Sequence, residues 1–408
     1  MPRIRTNLIN PVSPDRVELL ADHVISFEDG VINALRPYDV ALDRGIENAL
    51  DCVMLPGFID LHVHLSQFRA RGRFEPALLP WLEKHIFPAE ALSADPDYAI
   101  SISRDFFKAL FAAGTTTAVI YTAPFRQACD AAFKIADQLG ARAFIGMTLM
   151  DRNSPSPLLH DTSYAFESSV ALFERWHDRS PLLDYIFTPR FAPTCSPELM
   201  KLTSDYASRH NAFIQTHLSE NLDEIAWVKQ LFGKASYTQV YDDLGILGPR
   251  TIMGHAIHLD DLELELLAQT QTAVAHCPDS NFFLKSGEFG YKRLWDKGIR
   301  IGLGSDVGAG TTLSMPHHAQ MANYRQSAYP LSPQRLLWHL TMSSADILGW
   351  QDRIGSLAIG KDADLCMFRI PSDHDFDDSF LSSLFFYGGE FKTVRSYVRG
   401  RAVFQQKV

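Results

Sequence analysis

The pattern of apolar positions predicts eight strands along most of the chain. They cover residues 53–61, 116–121, 143–150, 184–188, 212–216, 251–253, 272–275 and 300–304. Amphipathic segments lie between several of them, such as residues 96–113, after which Gly114 provides the glycine with which helices commonly end. Strands that alternate with helices are typical of βα units around a parallel sheet.

Nearly all of the eight predicted strands end in polar or ionisable residues. This pattern favours an α/β fold of the (β/α)₈ TIM-barrel type, in which active sites lie at the carboxyl ends of the strands. An open, doubly wound sheet is the alternative, but no G-x-G-x-x-G motif follows the first strand. We therefore expect a barrel that covers residues 55–354.

Residues 1–54 and 355–408 lie outside the predicted barrel and contain further strand-like runs, among them residues 393–404. The two ends of a chain often lie close together in a folded protein. We therefore predict that both segments join in one small composite β domain.

Composition and charge narrow the class of protein. The 408 residues are 46% hydrophobic and 21% charged, which is typical of a globular protein with a large core. A net charge of −10 without a basic stripe disfavours binding to nucleic acid or anionic membranes, and no apolar stretch is long enough to cross a bilayer. The five scattered cysteines form no C-x-x-C motif, which fits reduced thiols and a cytoplasmic location.

Two histidines, His62 and His64, follow the first predicted strand in the sequence Asp-Leu-His-Val-His. Residues two apart on a strand project to the same side, and imidazole is a common ligand of zinc and similar metals. A lone His-x-His motif is explained about equally well by packed or surface histidines. The other strand ends therefore decide between the two interpretations.

Further ionisable residues follow the later predicted strands. His217 follows the fifth strand, His255 the sixth, His276 the seventh and Asp306 the eighth. Each of them alone has a structural explanation, such as a hydrogen-bonded core histidine or a helix cap. Packing has no reason to collect this chemistry at one rim, so together they indicate a metal-dependent site at the mouth of a barrel.

This combination resembles the amidohydrolase superfamily of metal-dependent barrel hydrolases. The resemblance rests on His-x-His at the first strand, histidines at the fifth and sixth, and Ser-Asp at the eighth. Within the superfamily, residues 79–90, 150–153, 189–191, 217–220, 276–287 and 304–315 are similar to segments of the guanine deaminase family. The resemblance implies hydrolytic deamination of guanine to xanthine and ammonia.

The resemblance also implies one divalent metal per chain, Zn²⁺ or Fe²⁺ in its place, with His62, His64, His217 and Asp306 as ligands. Three nitrogens and a carboxylate leave a position open for water, as a hydrolytic site requires. Related barrels with two metals use a modified lysine on the fourth strand, and residues 184–191 contain none. A zinc site of the cytidine deaminase type needs a C-x-x-C motif, which the chain lacks.

Three residues receive catalytic roles from the resemblance. Asp306 is expected to accept a proton from water, Glu220 to protonate a ring nitrogen beside the attacked carbon, and His255 to stabilise the tetrahedral intermediate. Without this context, Glu220 would be interpreted as a capping or solvated glutamate at the start of a helix.

A purine base is the partner that the resemblance implies. The residues expected to contact it are Gln67, Arg190, Phe191, His217, Glu220 and Asp306. Buried donors and acceptors discriminate strongly between bases, and a phenyl ring can stack on a purine face. Taken alone, Arg190 would be a surface or salt-bridging arginine and Phe191 a core aromatic residue. Trp81 and Phe87 are expected either to line or cover the pocket or to pack in the core.

Two other functions stay open at this point. The first is a hydrolase of the same superfamily acting on another amino-heterocycle or a chlorinated one, such as 8-oxoguanine, a pterin or a triazine. Asp279 and Lys285 are charged where the family pattern has small or neutral residues, which leaves fine substrate preference undecided. The second is a non-catalytic barrel that serves as a scaffold, against which the retention of every ligand and of Glu220 argues. The family resemblance also implies a homodimer.

Overall fold

The computed structural model describes residues 2–387, 389 and 391–407. Its strands are β1 (Arg3–Ser13), β2 (Arg16–Glu28), β3 (Val31–Pro37), β4 (Glu47–Pro56), β5 (Phe58–His64), β6 (Thr115–Thr122), β7 (Arg142–Leu149), β8 (Leu183–Pro189), β9 (Phe213–Leu218), β10 (Thr251–His255), β11 (Ala273–His276), β12 (Ile301–Leu303), β13 (Leu365–Arg369), β14 (Lys392–Val398) and β15 (Arg401–Gln405).

The α-helices are α1 (Leu78–Trp81), α2 (Phe87–Ala91), α3 (Pro96–Ala112), α4 (Arg126–Leu139), α5 (Thr162–Trp176), α6 (Pro197–Arg209), α7 (Leu222–Phe232), α8 (Tyr237–Asp243), α9 (Asp261–Gln269), α10 (Pro278–Phe283), α11 (Tyr291–Asp296), α12 (Met315–Tyr324), α13 (Pro333–Leu340), α14 (Met342–Ile347) and α15 (Phe380–Phe386). A 3₁₀ helix, Leu65–Ala70, follows β5, and a π-helical turn, Leu82–Ile86, joins α1 to α2. Among the described residues, no helix is both long enough and apolar enough to cross a membrane.

Strands β5 to β12 form an eight-stranded parallel sheet in chain order. Backbone hydrogen bonds connect the segment after the last strand to the first strand. The amide of Asp306 donates to the carbonyl of His62 at 2.7 Å, and the amide of His64 donates to the carbonyl of Val307 at 2.8 Å. The predicted barrel is therefore confirmed, and its closure places Asp306 directly beside the two histidines of β5.

Residues from both ends of the chain form the second sheet, with strand order β15-β14-β13-β4-β1-β2-β3. Strands β1 and β4 are parallel, and β13 pairs antiparallel with β4, which joins the C-terminal segment to the N-terminal one. The predicted fold class, a barrel with a small β unit made from both termini, is confirmed. The domain boundaries at residues 54 and 355 stay a prediction.

The first predicted strand, residues 53–61, is wrong in one respect, because the structure divides it between the two sheets. Residues up to Pro56 belong to β4, and the barrel strand begins at Phe58. Between them lies Gly57, where a Cβ would come within 2.1 Å of the Thr116 hydroxyl. Because glycine allows this close approach, one apolar run passes from one sheet into the other. The other seven strands begin and end within two residues of the prediction.

A buried ion pair fixes the barrel to the second sheet. Arg142, the first residue of β7, is fully buried, and its guanidinium donates to Asp364 at 2.6 Å and to Asp362 at 2.7 Å. Both aspartates lie just before β13, and Arg353 also contacts Asp362 at 3.1 Å. Burying an arginine costs much desolvation free energy unless it is paired and hydrogen-bonded. These contacts therefore hold the barrel against the second sheet in one relative position.

Candidate active site

Four potential metal-ligating side chains meet at the carboxyl ends of the barrel strands. The Nε2 atom of His64 lies 3.2 Å from Nε2 of His62 and 3.2 Å from Nε2 of His217. Oδ1 of Asp306 lies 3.4 Å from Nε2 of His62 and 3.2 Å from Nε2 of His64. The closed barrel thus brings together the four residues that the sequence pointed to as a metal site.

The protonation of these histidines fits a bound cation. Nδ1 of His217 lies 2.6 Å from the backbone carbonyl of Arg190, so this nitrogen carries the proton and Nε2 offers a lone pair. Burial lowers the pKa of His62 to about 4 and the pKa of His217 well below its usual range. Neutral imidazoles whose lone pairs face one another repel each other. A divalent cation between them would be coordinated by these lone pairs and would remove the repulsion.

His255, the last residue of β10, lies beside this cluster. Its Nε2 atom is 3.5 Å from Oε2 of Glu220 and 3.7 Å from Oδ2 of Asp306, while Nδ1 lies 2.8 Å from Oδ1 of Asn281. Burial opposes protonation of the ring, but the charges of Glu220 and Asp306 outweigh it and raise the pKa of His255. A protonated His255 is a hydrogen-bond donor rather than a metal ligand.

Two sets of four residues could hold one ion. His62, His217, His255 and Asp306 offer ligand atoms within 4.8 Å of one another. Nε2 of His64 lies 3.2 Å from Oδ1 of Asp306, whereas Nε2 of His255 lies 3.7 Å from Oδ2, which favours the set that contains His64 in place of His255. The raised pKa of His255 supports the same choice, because a protonated imidazole has no lone pair to offer.

Glu220 is buried and turned toward the cluster. Asn221 and Glu224 cap helix α7, so the structure excludes the capping alternative for Glu220. Its Oε1 atom instead accepts a hydrogen bond from the hydroxyl of Ser286 at 3.1 Å. Burial raises the pKa of Glu220, so its carboxyl group keeps a proton to higher pH than an exposed glutamate does and can serve in proton transfer.

The backbone at this mouth is held in an unfavourable conformation at three places. Ser219, the pair His255 and Ala256, and Asp306 have φ values of 48°, 67° and 50°, and 48°. Residues other than glycine pay about 1–2 kcal/mol each in this left-handed region. These residues end or follow β9, β10 and β12, where the backbone turns. Backbone strain is a common feature of functional sites.

A pocket lies above the cluster. Of the predicted residues, Gln67, Trp81, Arg190 and Phe191 line it, together with His217, Glu220 and Asp306. Phe87 is not part of the lining, and its ring lies 5.2 Å from the guanidinium carbon of Arg190. The predicted base-contacting residues therefore share one pocket with the potential metal ligands.

Comparison with known proteins assigns the chain to a family. The profile of the Amidohydrolase family matches residues 53–403. The chain belongs to the amidohydrolase family. The guanine deaminase of Escherichia coli (strain K12) is 37% identical over 372 residues, covering 87% of this chain and 83% of that protein, and the guanine deaminase of Dictyostelium discoideum is 33% identical, covering 97% and 96%.

Solved structures that resemble this chain also include guanine deaminases. The E. coli guanine deaminase superposes with a TM-score of 0.94 at 32% identity and covers all of both chains. A guanine deaminase from C. acetobutylicum, solved with guanine bound in its active site, gives 0.92 at 29% identity and covers 99% of this chain and all of its own. The predicted resemblance to this family and to its guanine deaminases is confirmed.

Two residues expected near the site lie elsewhere in this amidohydrolase barrel. His276 stacks on Phe289 with ring centroids 4.1 Å apart and is not part of the pocket lining, so its place at a strand end was misleading. Asp279 accepts hydrogen bonds from the backbone amide and the hydroxyl of Thr311. It anchors the loop that carries Asp306, outside the pocket.

Two buried glutamates near the site were not assigned a role from the sequence. Glu224 lines the pocket, and burial, followed by the charge of Glu220, raises its pKa to about 7. The Asn-x-x-Glu pattern at residues 221–224 could have revealed Glu224 as a helix cap. No local signal could have revealed Glu90, whose carboxylate contacts Gln67 and Arg190.

Proposed function

We propose that this chain is a guanine deaminase, which replaces the C2 amino group of guanine by a carbonyl to give xanthine and ammonia. The observation that carries the proposal is the pocket itself. A cluster of histidines and an aspartate forms its floor, and Arg190, Gln67 and Phe191 line the same cavity. Relatives named guanine deaminase, which match most of this chain, support the choice of base.

We assign the binding of one divalent metal, zinc or iron(II), to His62, His64, His217 and Asp306. The convergence of their ligand atoms supports this set. When bound, such a metal activates water toward attack at neutral pH.

Residues of the chain then transfer protons and stabilise the charge that develops during the reaction. We assign to Asp306, whose Oδ2 atom lies 3.7 Å from Nε2 of His255, the acceptance of a proton from water. Glu220 donates a proton to the ring nitrogen beside the attacked carbon. His255, at 3.5 Å from Glu220, stabilises the tetrahedral intermediate by donating toward the oxygen that the attacking water adds to C2.

Base recognition falls to Gln67, Arg190 and Phe191. Arg190 uses one Nη1 donor on Glu90 and has further N–H groups for a purine carbonyl. Gln67 can both donate and accept, as the adjacent carbonyl and ring N–H of guanine require. Phe191 supplies an aromatic surface against the base. His217, Glu220 and Asp306 line the same cavity, and we assign to them the contacts with the reacting side of the ring.

Ammonia release from guanine, adenine, cytosine, 8-oxoguanine and isoxanthopterin tests the proposal. Guanine is expected to react fastest, and adenine to be rejected by a factor on the order of 10⁴ in kcat/KM, because it presents an amino group to Arg190 and leaves buried donors unpaired. Comparable rates with the two purines would contradict the proposal. A preference for the pterin or for 8-oxoguanine would instead identify another hydrolase of the family.

We also propose a homodimer and a cytoplasmic location. The family resemblance supports the homodimer, which size-exclusion chromatography with light scattering tests. Five buried, unpaired cysteine thiols support a reducing compartment, which cell fractionation tests.

A further inference from the structure

Glu90 is a buried carboxylate on α2 that contacts two pocket residues without lining the pocket itself. Glu90 is only 1% exposed. Oε1 accepts a hydrogen bond from Nε2 of Gln67 at 2.8 Å, and Oε2 accepts one from Nη1 of Arg190 at 2.6 Å. Gln67 follows β5 and Arg190 follows β8, so this single carboxylate joins recognition residues from two separate strand ends.

The contact with Glu90 determines which way the amide of Gln67 points. An ionised carboxylate only accepts hydrogen bonds, so it holds the amide nitrogen. On the other side, the backbone amide of Gly308 donates to Oε1 of Gln67 at 3.2 Å. A flip of the amide would break both hydrogen bonds and leave buried groups unpaired. Gln67 therefore offers its remaining N–H and its remaining lone pair in a fixed order.

The same carboxylate holds the guanidinium of Arg190. Arg190 is 3% exposed, and a buried arginine needs a charged partner to offset its lost hydration. Glu90 occupies one Nη1 donor, and the ring of Phe87 lies 5.2 Å from the guanidinium carbon. The position of the donors that remain for a ligand carbonyl therefore depends on Glu90.

We propose that Glu90 is a positioning residue that sets the base selectivity of the pocket. It fixes the order of donors and acceptors that Gln67 and Arg190 present, and it acts through these two residues without touching the base. The inference rests on the proposed function and adds the residue through which that pocket selects guanine over adenine.

Glu90→Gln is the direct test. Gln67 and Arg190 donate to different oxygens of Glu90, and glutamine replaces one of these oxygens by an NH₂ group, so one of the two donors would face another donor. We expect KM for guanine to rise by about tenfold or more and the guanine-to-adenine ratio of kcat/KM to fall by roughly 10²-fold, with a smaller change in kcat, because mispaired buried groups weaken discrimination. Metal content is expected to stay at the wild-type level.

Glu263→Gln is the matched control. Glu263 is also buried, but it lies at the start of α9 and accepts hydrogen bonds from Ser236 and Thr238, away from the pocket. The control is expected to lower the melting temperature without changing KM or the guanine-to-adenine ratio. Glu90→Gln protein with wild-type KM and selectivity would overturn the proposal, and so would a fall in kcat alone.

Two further measurements keep the proposal testable if Glu90→Gln does not fold. Glu90→Asp keeps the charge but is one methylene shorter, so it cannot reach both partners, and an unchanged KM and selectivity in this variant would count against the idea. A crystal structure of either variant gives a readout without substrate. Gln67 and Arg190 in their wild-type positions would refute the positioning role.

The wild-type substrate panel separates failure of this inference from failure of the proposed function. If wild-type protein prefers another amino-heterocycle, guanine deamination is refuted, and the variants are then compared on the preferred base. A raised KM on that base would still support the role of Glu90.

Discussion

Replacing Glu220 by glutamine removes a proton carrier and leaves the shape of the site intact. Glutamine has nearly the same volume and retains a hydrogen-bonding partner for Ser286, whose hydroxyl contacts Glu220 at 3.1 Å. The carboxylate lies outside the set of potential metal ligands, so metal content is expected to stay unchanged. Turnover is expected to fall by roughly 10²–10⁴-fold, the usual contribution of a positioned acid or base.

His255 is the other residue that the Glu220→Gln substitution affects, because it lies beside the carboxylate. A carboxylate at 3.5 Å from Nε2 favours the protonated ring by about 4–5 kcal/mol at an effective dielectric constant of about 20, before the cost of burial is subtracted. Asp306 lies at 3.7 Å and remains in the variant, so His255 keeps a second charged neighbour. Loss of the Glu220 charge therefore weakens protonation of His255, Asp306 offsets only part of this effect, and the fall in turnover combines this change with the lost proton transfer.

The assay is kcat for ammonia release from guanine across the neutral pH range, with metal content measured on the same samples and Glu263→Gln as the control. Since burial raises the pKa of Glu220, its acid form persists to higher pH than usual and is lost as the pH rises through that pKa. Wild-type kcat should fall as the pH rises through the pKa of Glu220, and the variant should lack this dependence. Unchanged turnover would refute the role in proton transfer, and loss of metal would make Glu220 a ligand.

Three other predictions concern the metal and the stability of the fold. Replacing both His62 and His64 by alanine should abolish metal retention in a chain that still folds, because a core of this size does not depend on one ion; one equivalent of metal by elemental analysis would contradict the ligand assignment. Replacing Arg142 by methionine leaves two buried aspartates without their shared partner and should lower the free energy of unfolding, measured in urea, by about 3–5 kcal/mol. A hydrogen bond from Arg36 lowers the pKa of Asp43 to about 2, so Asp43 stabilises the fold fully above about pH 4 and loses this contribution as the pH falls toward 2. Wild-type protein and Asp43→Asn should therefore differ in stability near neutral pH and converge in acid, and a difference independent of pH would refute this reasoning.

The sequence alone was enough to predict the barrel and most of its strands, because the alternation of apolar strands and amphipathic helices is a local signal. It also placed His62, His64, His217, His255, His276 and Asp306 at strand ends, and the family resemblance selected four of them, His62, His64, His217 and Asp306, as metal ligands. In a parallel barrel the carboxyl ends of the strands meet at one rim, so residues far apart in the chain can be placed together from strand order alone. The roles given to these residues stay proposals until they are measured.

Only the tertiary structure decided which buried polar groups contact one another. The apolar pattern of residues 53–61 is continuous, and the change of sheet at Gly57 depends on the side chain of Thr116 from another strand. His276 and His217 both lie at strand ends, yet one packs on a phenylalanine and the other faces the site. Glu90 gives no sign in the sequence of its contacts, since its partners lie on other elements. Hydrophobic periodicity depends on neighbours along the chain, whereas the partner of a buried charge is set by long-range packing.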